Sequence, residues 1–186
     1  SLLKNFSKNI IVYIDILNKF IVKYKKVIGI TGASGSLGKA LTKKFKDNGY
    51  YVIGFTHSKV ENKSDLSGPN EWIYWECGKE YLLKENLKKI DILILNHGIY
   101  KENIQNLDFE KSLDVNAISK LKIFNIFKEN VMQIKDESPS KEIWINTSEA
   151  EILPALSPAY EISKSLIGQL ITYQYNFLSK NERQKL

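Results

Sequence analysis

Lys25-Lys26-Val27-Ile28-Gly29-Ile30-Thr31-Gly32-Ala33-Ser34-Gly35-Ser36-Leu37-Gly38 is the stretch whose reading decides the fold. A basic pair leads into a short apolar run, and the run ends in a loop with glycines at 32, 35 and 38. A helical pattern starts at once, with Leu37, Ala40, Leu41 and Phe45 at spacings of three and four. Asn48-Gly49 closes it, glycine being free to take the left-handed backbone at a helix end. The stretch reads as strand, tight glycine turn, helix.

Each glycine has a physical use. Gly32 lets the chain turn out of the strand, Gly35 leaves its backbone open to close approach, and Gly38 lets the helix pack on the sheet. The helix start then offers free N–H groups and a partial positive charge to phosphates. Such a turn fits a dinucleotide, with Gly32, Ser34, Gly35, Ser36, Leu37 and Gly38 as its contacts, although the same spacing also occurs in purely structural turns.

Working outward, Tyr50 to Thr56 is a second apolar run rich in β-formers. It ends in Thr56-His57-Ser58-Lys59, with no acid to bind the adenosine ribose hydroxyls. Ser58 and Lys59 suit a 2′-phosphate, so NADP(H) is expected over NAD(H). The competing reading is a polar loop. Glu71 to Glu76 is a third strand, Lys79 to Lys89 a short helix, and Ile90 to Leu95 a nearly unbroken apolar run. That run marks a parallel strand buried on both faces, and it ends in Asn96-His97-Gly98. A long helix spans 108–132, with Leu113, Ala117, Leu121, Phe124 and Phe127 towards the interior. Glu142 to Asn146 is a fifth strand leading to Thr147-Ser148-Glu149, and the last helix begins near Tyr160. The order βαββαβαβα predicts a doubly wound parallel sheet in three α/β/α layers.

Tyr160 and Lys164 stand four apart, so they share a helix face. A phenol exchanges a proton with a carbonyl or alcohol oxygen, and a neighbouring ammonium favours the phenolate. Ser148, at a strand end, is placed to bond the same oxygen.

Taken together, Thr31 to Gly38, Asn96-His97-Gly98, Asn116, Ser148 and Tyr160-Glu161-Ile162-Ser163-Lys164 resemble the short-chain dehydrogenase/reductase family. More narrowly, residues 95–99, 145–151 and 158–164 are similar to the dehydrogenase half of proteins named bifunctional sterol desaturase/short-chain dehydrogenase. The resemblance implies a Rossmann fold and hydride transfer between NADP(H) and a small-molecule carbonyl or alcohol. It implies Tyr160 as general acid/base and Lys164 as its partner, which also holds the nicotinamide ribose. Ser148 would polarise the carbonyl, Asn116 would hold a relay water, and Asn96, His97 and Gly98 would shape the cofactor edge. His97 stands where the family has alanine, and Cys77-Gly78 where it has an aspartate near adenine. Against the family's pattern the chain stops where a sixth strand would start. The expectation is thus a sheet truncated after the helix of Tyr160 and Lys164, lacking the substrate lobe. A non-catalytic NAD(P)-binding module is the alternative function.

Composition narrows the rest. The 186 residues suit one domain over 26–186 behind an N-terminal amphipathic helix over 1–25. The helix stripe runs Leu3, Phe6, Ile10, Ile14, Leu17, Ile21, Tyr24. It packs on its own domain or a second copy, or lies on an anionic membrane surface; both readings stay open. Of the +6 net charge, six lysines against Asp15 lie in residues 1–26, which leaves 21 basic and 20 acidic residues elsewhere. That near-neutral remainder argues against nucleic acid. The single cysteine fits a reducing, cytoplasmic setting, and the two histidines have no metal-ligand spacing. Apolar residues late in the last helix favour a homo-oligomer.

Overall fold

The computed structural model describes residues 24–58, 67–100, 106–134, 139–153 and 157–186. The N-terminal helix expected over 1–25 therefore lies almost wholly outside the described residues, as does Lys59. Five strands form one sheet: β1 (Val27–Thr31), β2 (Tyr51–Thr56), β3 (Glu71–Tyr74), β4 (Ile92–Leu95) and β5 (Glu142–Ile145). Their order is β3-β2-β1-β4-β5, and each neighbouring pair is parallel. The chain steps outward from β1 to β3, then returns to the other side of β1 with β4. The break between those two directions falls at β1 and β4, and it opens a crevice at their C-terminal ends.

Alternation along the strands divides the core into two layers. Ile28, Ile30, Val52, Ile92 and Ile94 face one side, where Leu41 and Phe45 of α1 (Ser36–Asp47) cover them. Ile53, Phe55, Leu93 and Leu95 face the other side. There they meet Leu87 of α2 (Lys84–Lys88) and Ile123, Phe124 and Phe127 of α4 (Ser119–Met132). A single 3-10 turn, Glu80–Leu83, precedes α2. With helices on both faces, this is the three-layer doubly wound sheet expected.

The long helix differs from expectation in one respect. It starts as α3 (Asn106–Leu113), passes through a π-helical turn at Asp114–Ile118, and continues as α4. A π turn inserts one extra residue into the helical repeat. Beyond it, the inward face is carried by Ser119, Lys120 and Ile123, while Leu121 is only half-buried.

The helix α5 (Pro158–Asn176) has proline in its first turn, and Ser157 caps it by accepting from the Tyr160 N–H at 3.4 Å. Its apolar residues are unevenly covered: Ile167 is buried, whereas Tyr173 and Phe177 are exposed. A last short helix, α6 (Lys180–Lys185), starts at a capping box of Ser179 and Glu182. No helix among the described residues is long and apolar enough to cross a membrane.

Candidate active site

The glycine loop is built as its spacing implies. Gly32 takes a left-handed backbone, φ +68°, and a Cβ there would stand 2.8 Å from the His97 Cα. At Gly38 a Cβ would be driven into the Gly32 carbonyl and to 2.7 Å from the Ala33 Cα. The loop and the first turn of α1 are thus locked together by close backbone packing. Gly35, the N-cap of α1, is different. Its φ of −75° suits any residue, and an added Cβ would meet only the Gly32 oxygen, at 3.4 Å. No side chain caps α1 and no acid lies in its first turn, so its free N–H groups face outward.

These groups line a cleft of about 540 Å³. It runs from Gly32, Ser34, Gly35, Ser36 and Leu37 past His57, Ser58, Trp75 and Cys77. Beyond Asn96, His97 and Gly98 it reaches Tyr100, Asn146, Tyr160 and Lys164. Among these described lining residues there is no carboxylate. An uncapped helix start, an open position above Gly35 and a wall without acids fit an anionic dinucleotide. No group of three or more metal-ligating side chains occurs among the described residues.

Several expected contacts sit differently. Thr56 is buried at the end of β2; its hydroxyl bonds the Ser34 hydroxyl at 2.9 Å and accepts from the Ser58 N–H at 3.1 Å. It shapes the loop floor, and His57 and Ser58 are the β2-end residues that reach the cleft. Gly38 also lies behind the lining. Leu37 belongs to the cleft, being half exposed at the start of α1.

At the other end, Lys164 Nζ lies 5.5 Å from the centre of the Tyr160 ring. The Tyr100 ring meets that of Tyr160 edge-on at 5.3 Å. Asn116 lies in the π turn and is fully buried. Its side chain accepts from the Ile99 N–H at 2.7 Å, and its amide donates to the Ile99 carbonyl at 2.9 Å and to the Ser163 hydroxyl at 3.0 Å. Asn116 thereby clamps the segment after Gly98 to the helix of Tyr160. Ser148 is not part of the cleft lining. Its hydroxyl accepts from the Ala150 N–H at 3.3 Å and caps a 3-10 turn, Glu149–Glu151. A hydroxyl used as an acceptor keeps its proton to donate.

Thr31 joins the two ends. Its hydroxyl donates to the Ile94 carbonyl and accepts from the Asn96 and His97 N–H groups, at 3.2, 2.9 and 3.2 Å. It also bonds the His97 ring nitrogen Nδ1 at 2.8 Å. Burial first, then the charges of Lys120 and Lys164, hold the His97 imidazole well below its usual range and therefore neutral. Its ring packs edge-on against Trp75 at 5.1 Å.

The residue that sequence reading passed over is Lys120. It is fully buried, and its Nζ donates to the Asn146 carbonyl at 3.1 Å. Lys164 Nζ donates to that same carbonyl at 3.2 Å. Asn146 is itself held by its side-chain donation to Asn96 Oδ1 at 3.1 Å. Burial, and then the Lys164 charge, push the Lys120 amine down from 10.5 to about 7. Lys120 stands four residues after Asn116, so a shared helix face was the available signal.

The Lys120 shift has a sign that can be measured. From about pH 7 to 10.5 the unfolded chain carries a proton on Lys120 that the folded chain lacks. Stability therefore rises with pH on its account across that window. Lys120→Met removes the group and with it this slope. In urea unfolding, the variant's gain over wild type is expected to be large near pH 7 and to shrink by about 1.4 kcal/mol per pH unit above it.

Comparison with known proteins gives the site a context. The model of the NAD dependent epimerase/dehydratase family matches residues 28–150. Monoglucosyldiacylglycerol epimerase of Synechocystis sp. is 35% identical over 151 residues, covering 79% of this chain; the chain spans 37% of that protein's length. Among solved structures, a short-chain type dehydrogenase/reductase from Mycobacterium marinum superposes with TM-score 0.71 at 18% identity, over 90% of this chain and 74% of that one. An NADH-dependent reductase complexed with NAD gives TM-score 0.71 at 18% identity, over 86% and 75%. These two share the fold.

Proposed function

The chain belongs to the NAD dependent epimerase/dehydratase family, and on that premise we propose that it binds NAD(P) and transfers a hydride at a secondary alcohol or ketone carbon. The observation that carries this is Tyr160 beside Lys164, at one end of a cleft whose other end is the uncapped glycine-loop helix. The bound nicotinamide supplies the hydride acceptor or donor. Gly32, Ser34, Gly35, Ser36 and Leu37 hold the phosphates, and Asn96, His97 and Gly98 border the sugar. Tyr160 exchanges the substrate's hydroxyl proton. Lys164 places its amino group beside the phenol ring, and Ser148 donates to the substrate oxygen. Asn116 fixes the segment bearing Gly98 against α5.

NADP(H) is the preferred form in this reading. His57 and Ser58 reach the cleft where an NAD-preferring site has an acid, and no acid is among the described residues lining it. Fluorescence titration is expected to give tighter binding for NADPH than for NADH, by about tenfold or more, the worth of one lost charge-assisted contact. Equal affinities would overturn the preference.

A hydride kept on the cofactor makes a dehydrogenase, and one returned to the opposite face of the same carbon makes an epimerase. The 35% identity to a glycolipid epimerase favours the second outcome, with a lipid-linked hexose as substrate. Incubation with a glucosyl lipid and NAD(P) separates the two. An epimeric hexose without net cofactor reduction supports epimerisation, and accumulation of reduced cofactor supports dehydrogenation.

A further inference from the structure

We propose that Lys120 is a positioning residue of this site: held with Lys164 on the Asn146 carbonyl, its amino group takes up and returns the proton that Tyr160 and Lys164 exchange with substrate. The inference rests on the hydride-transfer reading above and adds to it an internal proton store.

The geometry is unusual for two lysines. A carbonyl oxygen has two lone pairs, and here each receives an amino group, at 3.1 Å from Lys120 and 3.2 Å from Lys164. The two amino groups are thereby held side by side on one acceptor. Two ammonium ions in that arrangement repel, whereas one amine and one ammonium do not. Lys120 is the one sealed from water, at 0% exposure, while Lys164 lines the cleft. Among the described residues, His97, from the turn after β4, also faces Lys120, and it is neutral. The Lys164 amino group shares the Asn146 carbonyl with Lys120 and lies 5.5 Å from the centre of the Tyr160 ring, so it links the two.

A closed store suits a reaction that must give its proton back. With a nicotinamide bound to take and return the hydride, Tyr160 would accept the substrate's hydroxyl proton as the carbonyl forms and pass it to the lysine pair, turning the amine into an ammonium. On the hydride's return the pair would give the proton back through Tyr160 to the oxygen. Protons and electrons balance with no outside oxidant. A net dehydrogenation would instead need that proton to leave for water.

The test is [13Cε]-lysine NMR on the chain without cofactor, titrated from about pH 5 to 10, alongside pH profiles of turnover. A lysine signal with a midpoint near 7 stands apart from the ordinary lysine range. The expected result is that this signal vanishes in Lys120→Met and moves upward in Lys164→Met. Lys120→Met should also lose an ionisation near pH 7 from its kcat profile, with kcat down by about tenfold or more and NADPH affinity unchanged. Absence of any neutral-range lysine signal, or its persistence in Lys120→Met, overturns the pair. An unaltered kcat profile in Lys120→Met overturns its role. Turnover insensitive to Tyr160→Phe with the lysine signal intact overturns the reaction reading and leaves the pair standing.

Discussion

Replacing Tyr160 by phenylalanine is expected to lower kcat by about three orders of magnitude, while the chain melts at the same temperature and binds NADPH as before. The change removes one oxygen. The ring keeps its edge-on contact with Tyr100 and its place under the Lys164 amino group. The hydrogen bonds of the residue run through its backbone, from its N–H to Ser157 and from the Ser163 hydroxyl to its carbonyl. Neither depends on the phenol, so the fold has no stake in it. Chemistry does. A positioned acid/base contributes about 10²- to 10⁴-fold; among the described lining residues there is no carboxylate, and His97, the imidazole next to Asn96 and Gly98, is buried and bonded to Thr31. Steady-state turnover and thermal melting of the two forms decide the matter. Turnover equal to wild type would remove the assignment of Tyr160, and a fallen melting temperature would recast it as structural. A non-catalytic nucleotide-binding module would show no turnover in either form.

The parts of this protein legible in its sequence are those that obey short-range rules. The glycine spacing follows from turn geometry, and the apolar runs of β1, β2 and β4 from two-sided burial. Tyr160 and Lys164 share a face because four residues make about one helical turn. Lys120 shares a face with Asn116 at a spacing of four, but lysine is almost never fully buried, so its type argues for solvent. A π turn at Asp114–Ile118 precedes it, and beyond that turn Lys120 is buried while Leu121 is only half-buried. Thr56 and Ser148 are polar residues at strand ends, and each has local hydrogen bonds that spacing does not foretell: Thr56 with Ser34 and Ser58, and Ser148 from the Ala150 N–H, which leaves its own proton to donate. A strand-end hydroxyl has both options, and only the packed loop decides between them. Tyr173 and Phe177 show the converse. They follow the apolar stripe of α5, yet lie past the end of the core that covers Ile167.

Two glycines of the same loop are expected to fail in different ways when given a side chain. Gly38→Val forces Cβ into the Gly32 carbonyl and against the Ala33 backbone. Those atoms belong to the turn itself and have no rotamer through which to yield. Overpacking of this kind costs about 1–3 kcal/mol, which lowers the melting temperature by several degrees, at about 2–4 °C per kcal/mol for a chain of this size. The helix start is displaced as well, so NADPH binding weakens with it. Gly35→Ala meets no such resistance. Its backbone is extended, φ −75° and ψ 168°, and its added methyl touches only the Gly32 oxygen at an ordinary 3.4 Å. Nothing inside the protein asks for glycine there. If glycine is present to let a diphosphate lie against the backbone, the methyl group occupies that space. The melting temperature should then stay within about 2 °C of wild type, less than 1 kcal/mol in free energy, while the dissociation constant for NADPH rises by about tenfold or more, the equivalent of about 1.4 kcal/mol. Titration and melting of both variants test the pair together. Equal damage to both properties in Gly35→Ala would mean that this glycine serves the turn. Unchanged affinity in Gly35→Ala would mean that the helix start is not where the phosphates bind.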